Sequence, residues 1–279
     1  MKVNIIKTGT IGSKTDEFVI GNNILYECNL TGTVIVPKNV TEIKATAFSN
    51  KTNITKVVLP EGLKTIGTNT FIGCTSLEEV IIPESVEAIE DQAFFGCKNL
   101  ETVKLPDSVN IIDDYAFSEC TSLRSINLDK VQVIGSSAFS KTALEYITLS
   151  ARKIGSGAFA QCENLKKADL SDIGTKKIDS RLFFECMNLS KISLPKNQIK
   201  IFGDDCFYHT AIKEITFDAD NVIVGLNAFG KTNFKKVVIS ENCDDILFQD
   251  YAFRETEIEE FVIPDFLEKV INHDIERMF

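Results

Sequence analysis

The sequence predicts a solenoid of about ten stacked coils. Three observations carry that prediction: a phenylalanine that recurs every 20–24 residues, an apolar triplet that follows each of them, and prolines that fall at the ends of such runs. The phenylalanines are Phe48, Phe71, Phe94, Phe117, Phe139, Phe159, Phe183, Phe207, Phe229 and Phe253. Self-similarity at a fixed period in this range marks coils stacked on one another, each burying its apolar side only against its neighbours. The 279 residues would suffice for one or two ordinary domains, but the unbroken period makes one elongated domain the better reading.

Residues 1–36 are expected to cap the N-terminal end, residues 37–264 to form the solenoid, and residues 265–279 to form a C-terminal helical cap. Within a coil such as 77–100, Leu77, Val80 and Ile82 are the inward residues of a short strand, and alternation across Val80-Ile81-Ile82 has the period of two that a strand requires. Pro83 ends the strand because it cannot donate to a ladder. Val86 and Ile89 then point inward from the next side, and Ala93-Phe94 fills the interior opposite the strand. The triplet recurs as Ile54/Val57/Leu59, Leu100/Val103/Leu105 and onward to Ile258/Phe261/Ile263. All six prolines, at 37, 60, 83, 106, 195 and 264, follow such an apolar run. Gly67, Gly135, Gly155, Gly203 and Gly225 directly follow an inward apolar residue, which predicts a tight turn with positive φ. Each coil is thus expected to give one short parallel β-strand to a continuous concave sheet, in a rod on the order of 50 Å long.

Five of the eight cysteines (Cys74, Cys97, Cys120, Cys162 and Cys186) stand three residues after a ruler phenylalanine. Thr142, Thr210, Thr232 and Thr256 hold that slot in other coils. Both residue types are small and can donate a hydrogen bond, so the slot reads as an inward ladder satisfying turn carbonyls. Zinc needs ligands paired at short spacing; no Cys-x-x-Cys occurs, and no metal or other cofactor is expected. At the C-terminus, Asp265 and Glu268 are spaced as a capping box. Leu267, Val270, Ile271, Ile275 and Met278 follow at helical spacing, as if to cover the last coil.

The repeats, Leu-x-x-Val-x-Leu-Pro … Val-x-x-Ile … Ala-Phe-x-x-Cys, resemble those of BspA-like leucine-rich repeat proteins over about residues 18–264. Departures are Thr70, Leu182 and Cys206 in place of the alanine before phenylalanine. The resemblance implies a leucine-rich repeat solenoid. It also implies the function class of bacterial surface proteins that contact host molecules or other cells.

Composition narrows the function further. The net charge is −10. Twelve Asp/Glu against three Lys/Arg in residues 241–279 give −9 of it. An acidic chain is a poor partner for nucleic acid, and no run of 18 apolar residues suggests membrane insertion. The start, Met1 to Thr8, lacks a signal peptide. The chain is expected in the cytoplasm if Met1 is the native start, and at the cell surface or secreted if a signal has been removed. His209 and His273 have no nucleophile or acid at a recognised spacing, and both read as surface histidines.

The expected function is non-enzymatic recognition of a protein or glycan along the concave face, by a monomer. Two alternatives are an intracellular protein–protein interaction module in a larger assembly and, more remotely, a glycan-processing enzyme. On the outward face of the strands, Tyr146 is the aromatic anchor. Lys167, Lys191 and Lys236, with Lys166 and Lys235 beside them, form a basic stripe, and Lys104, Asp169 and Glu214 complete the expected contact set.

Overall fold

A computed structural model describes residues 4–7, 17–196, 198–267 and 276–279. The predicted solenoid is present. Its first ladder is all parallel but falls into four hydrogen-bonded sets rather than the expected continuous sheet: Gly32–Ile35 with Ile54–Val58 and Glu79–Ile81, Thr102–Val103 with Ser125–Ile126, Tyr146–Thr148 with Lys167–Asp169 and Lys191–Ser193, and Glu214–Phe217 with Lys236–Ile239 and Glu260–Val262. Register follows the triplets, so that Val34, Val57 and Val80 lie side by side and are buried.

The structure adds a second parallel ladder on the next side of the coil. It runs from Thr65–Ile66 through Ala88–Ile89 and Ile111–Ile112 to Lys153–Ile154, and resumes from Lys177–Ile178 to Ile246–Phe248. Most of its strands are two residues long, with one inward side chain such as Ile66, Ile89 or Ile112. At the N-terminal end the ladder is replaced by antiparallel strands, Asn4–Lys7 on Glu17–Gly21 on Ile24–Cys28, the last of which pairs in parallel with Glu42–Ile43.

The third side is the phenylalanine corner. Rings from Phe48 to Phe253 form one stacked column with centroid separations of 4.9–5.9 Å. The backbone there is also tied from coil to coil: Asn69 N–H donates to Asp91 O, Phe71 N–H to Ala93 O and Gly73 N–H to Phe95 O, at 2.7–3.0 Å. From Phe71 onward, these bonds hold the residues two before and two after each ruler phenylalanine in the left-handed region. Gln92, Tyr115 and Arg181 sit there at φ 53°, 54° and 59°, and Glu119, Glu185 and His209 at 61°, 57° and 57°. A side chain in this region ordinarily costs about 1–2 kcal/mol, and the cross-coil hydrogen bonds offset it.

The glycine expectation is corrected. Gly135, Gly155, Gly203 and Gly225 are not at positive φ; the positive-φ glycines are Gly32, Gly62, Gly73, Gly96 and Gly157. What demands glycine at these four sites is close approach between coils. A Cβ on Gly135 would lie 2.4 Å from Asp114 N, and one on Gly155 2.4 Å from Ser136 N. Gly67 meets neither condition, since its nearest neighbour would be 3.6 Å away.

The cysteine slot is as expected, with a refinement. Each ladder cysteine donates to the ruler carbonyl of the preceding coil, as in Cys74 Sγ to Phe48 O at 3.0 Å and Cys97 Sγ to Phe71 O at 3.1 Å. Each threonine donates to the ruler carbonyl of its own coil, as in Thr142 Oγ1 to Phe139 O at 2.9 Å and Thr232 Oγ1 to Phe229 O at 2.7 Å. The choice goes with turn length: cysteine stands three residues before the next inward residue (Cys97, Leu100) and threonine two (Thr142, Leu144). The shorter turn brings the slot residue back over its own carbonyl.

All eight cysteines are buried free thiols. Burial pushes the Cys28 thiol up to about 11 and the Cys74 thiol up to about 12, and drives those of Cys97, Cys186 and Cys206 upward too. The folded chain therefore keeps these protons to a higher pH than the unfolded chain, whose thiols ionise near about 8.5. Stability from this source is complete below the unfolded value. It is lost as pH rises toward the folded one, by about 1.4 kcal/mol per pH unit for each thiol. Urea midpoints are expected to be level below about pH 8 and to fall steeply from about pH 9 to 10. Native protein should resist iodoacetamide over the same range. A midpoint unchanged across that interval, or rapid native alkylation, would contradict the buried ladder.

At the C-terminal end, Asp265–Leu267 forms a single 3-10 turn with Leu267 buried. Glu268, Val270, Ile271, Ile275 and His273 lie outside the described residues, so the capping box and most of the expected helix do too. Residues 277 and 278 continue the corner: Tyr251 N–H donates to Arg277 O at 2.6 Å and Phe253 N–H to Met278 O at 2.8 Å. Met278 thus takes the place of the alanine and Phe279 that of the ruler phenylalanine, 6.2 Å from Phe253.

Candidate recognition face

The face to examine is the outward side of the first ladder. Alternation along each strand sends one set of side chains into the core and the other into solvent. The parallel register then stacks the outward residues into columns across the coils, about 4.8 Å apart.

One column contains Tyr146, Lys167 and Lys191 on three consecutive strands, with Tyr146 paired to Lys167 and Lys167 to Lys191. Each is exposed, Tyr146 at 61%. Two ammonium groups thus stand beside each other next to an open phenol ring, and neither is in an ion pair among the described residues. In the neighbouring column, Thr148, Asp169 and Ser193 are in register. The Asp169 carboxylate accepts from Ser171 Oγ at 2.7 Å and Ser171 N–H at 3.2 Å. Those bonds hold its carboxyl below the usual range.

The rest of the expected basic stripe is neutralised. Lys236 is bound to Glu260 at 2.8 Å, one coil on, and Glu214 flanks it on the other side. Lys235 pairs with Glu259 at 2.7 Å. Lys166 pairs with Glu145 at 2.7 Å, which raises the lysine's pKa and lowers the carboxylate's, and its ammonium lies 5.9 Å from the Tyr146 ring centroid. That pair supports the ring at the edge of the row. Lys104 is exposed but two coils away from the row, with the Asn127 coil between. Asn127 spends its side chain on the ladder itself, accepting from Leu105 N–H at 2.8 Å and donating to Leu105 O at 3.0 Å.

The structure therefore brings Tyr146, Lys167, Lys191 and Asp169 together in one hydrogen-bonded set of strands, puts Glu214 and Lys236 in a separate set that begins one coil after Lys191, and leaves Lys104 two coils away on the other side. His209 is half-buried at the phenylalanine corner, edge-on to Tyr208 at 6.3 Å and away from this face. Among the described residues no group of three or more His, Cys, Asp or Glu is placed to hold a metal ion. Also among them, no helix is long and apolar enough to cross a membrane. One residue of the face escapes the strand-triplet reading: Ile35, 67% exposed, the most exposed large aliphatic side chain among the described residues. Its signal is the alternation in Val34-Ile35-Val36, one coil before the first ruler phenylalanine.

Comparison with solved structures places the fold. A leucine-rich cell surface protein from Faecalibacterium prausnitzii is 19% identical, with a TM-score of 0.52 over 95% of this chain and 98% of that one. A leucine-rich repeat protein from Bacteroides ovatus is 20% identical, with a TM-score of 0.49 over 95% and 88%. A leucine-rich repeat protein from T. pallidum is 25% identical, with a TM-score of 0.45 over 70% and 85%. No curated protein matches this chain. Residues 41–166 and 152–275 match the BspA-type leucine-rich repeat region, a pattern of six copies. With its coils, its ruler phenylalanines and its cysteine slot in that register, the chain belongs to the BspA-type leucine-rich repeat family.

Proposed function

We propose that this protein is a non-enzymatic recognition scaffold that binds an acidic protein or glycan along the outward face of the first ladder. Family resemblance makes surface adhesion the setting. The observation that carries the reading is the row Tyr146–Lys167–Lys191. Other lysines along this face, Lys56 and Lys236, are neutralised by Glu79 and Glu260 one coil further on. In the row, two adjacent like charges instead face solvent beside an aromatic ring. Like charges placed side by side repel, so the arrangement contributes nothing to folding. It suits an anion that bridges both ammonium groups while a flat or apolar portion lies on the ring. The interior is filled by phenylalanines and aliphatic triplets, which leaves recognition to the surface.

The test is binding to an array of sulfated, sialylated and neutral glycans and to acidic polypeptides, with wild type and a Tyr146→Ala/Lys167→Ala/Lys191→Ala variant. Exposed substitutions of this kind change stability by only about 0.5 kcal/mol each, so folding is expected to persist. The variant should bind the best acidic ligand at least about tenfold more weakly, a loss of ~1.4 kcal/mol. Equal binding by both proteins would sink the proposal.

A further inference from the structure

A second surface on the same face, three coils toward the N-terminus, has a different chemistry. We infer that the trough formed by Ile35, Val58 and Ile81 on one side and by Glu61 and Glu84 on the other binds an extended segment of a partner protein whose residues alternate aliphatic and basic.

The aliphatic side is a register column, with Ile35 paired to Val58 and Val58 to Ile81. Ile35 is 67% exposed and Ile81 42%. Three stacked branched side chains turned to solvent are costly to leave uncovered, at roughly 25 cal/mol per Å² of apolar surface. In the next coil the column continues with Lys104, which ends the apolar stretch. Three residues further along each strand, past Pro37, Pro60 and Pro83, stand Lys38, Glu61 and Glu84. Neither glutamate is in an ion pair among the described residues, whereas Glu79 and Glu87 nearby are held by Lys56 and Lys64 at 2.7 Å. Asp107 holds the same place in the following coil. Between the two sides lies an open cavity of about 570 Å³, with Leu59, Pro60, Ile82 and Pro83 among its lining residues.

The two sides differ in kind, and an extended chain sends successive side chains in opposite directions. A strand running along the trough can therefore direct every second residue at the aliphatic column and the residues between at the carboxylates. The outer strands of the column are about 10 Å apart, and same-side residues of an extended chain about 7 Å. The trough thus takes two aliphatic side chains and one or two lysines or arginines. Lys38 lines the N-terminal end of the same side, but the two glutamates outnumber it and make the occupant basic, so this is not the ligand proposed for the Tyr146 row, and either surface can fail without the other.

The experiment uses the full chain and fluorescein-labelled heptapeptides in anisotropy titrations at about 0.15 M salt, where long-range attraction by the net negative charge is screened. The probes are Val-Lys-Val-Lys-Val-Lys-Val, the same sequence with glutamate for lysine, and the same with serine for valine. Wild type should prefer the Val/Lys peptide over both others by at least about tenfold. A Glu61→Lys/Glu84→Lys variant should lose that preference and gain affinity for the Val/Glu peptide, a gain that misfolding could not produce. Ile35→Ser/Ile81→Ser should weaken Val/Lys binding to the level of the Ser/Lys peptide. The Tyr146→Ala/Lys167→Ala/Lys191→Ala variant should bind the Val/Lys peptide as wild type does. Equal binding of the Val/Lys and Ser/Lys peptides by wild type, or binding indifferent to the charge reversal, would overturn the inference.

Discussion

Phe117→Ala is expected to destabilise the solenoid by about 3–5 kcal/mol, the range for truncating a fully buried phenylalanine. Phe117 is 0% exposed and stacks on Phe94 at 5.0 Å and on Phe139 at 5.4 Å, with interplanar angles of 5° on both sides. Its removal opens a cavity that neighbouring coils cannot close, because the backbones of Phe94 and Phe139 are held by the corner hydrogen bonds from their N–H groups to Ala116 O and Ala158 O. In a stacked array, stability is close to a sum of coil and interface terms, so a lost interface in the middle divides the rod. Two transitions, or one at a much lower urea midpoint, are expected by circular dichroism. Phe279→Ala provides the contrast. That ring continues the column but is 45% exposed and has one ring neighbour among the described residues, so its loss should cost less than about 1 kcal/mol. Equal losses at the two positions would show that the column does not hold the coils together.

Gly155→Ala is the second large effect, expected to cost about 1–3 kcal/mol or more through overpacking. The added Cβ would sit 2.4 Å from Ser136 N and 2.6 Å from Gly135 C, both backbone atoms of the preceding coil. No side chain can rotate away to make room. Relief requires the two coils to separate, which strains the bond from Gly155 N–H to Ile134 O at 2.8 Å. Gly67→Ala follows the same apolar residue in its own coil, yet its nearest contacts would be ordinary ones at 3.6–3.7 Å. It should be tolerated within about 0.5 kcal/mol. Thermal melts of the two variants side by side decide the point. A similar loss at both would favour a backbone-dihedral role for these glycines over coil-to-coil contact.

That glycine contrast also shows where sequence reading stops. The first ladder was legible because three inward residues recur in every coil, the last two alternating about one outward position, and that pattern survives any choice of outward residue. The second ladder was not, since a two-residue strand with a single inward isoleucine has no period to detect. The left-handed corner residues were hidden for a different reason. Gln92, Tyr115, Arg181 and Glu119 have no local preference for positive φ, and the neighbouring coil imposes it through hydrogen bonds. On the recognition face, the columns could be read from the strand triplets. Which lysines in them carry free charge could not, because the partner of Lys236 is Glu260, 24 residues away, and the pairing depends on side-chain reach across one coil. Tyr146, Lys167 and Lys191 stand out only after those pairs are removed.

The central claim is that recognition centres on the Tyr146 row, and site-specific photocrosslinking tests it most directly. Benzoylphenylalanine would replace Tyr146 in one variant and Tyr115 or Tyr251 in two others. The latter two tyrosines are exposed at 43% and 50% but lie at the phenylalanine corner. With the acidic ligand that binds best, crosslinking is predicted at position 146 and background levels at 115 and 251. Crosslinking at the corner positions with none at 146 would contradict the account and place recognition on another side of the coil.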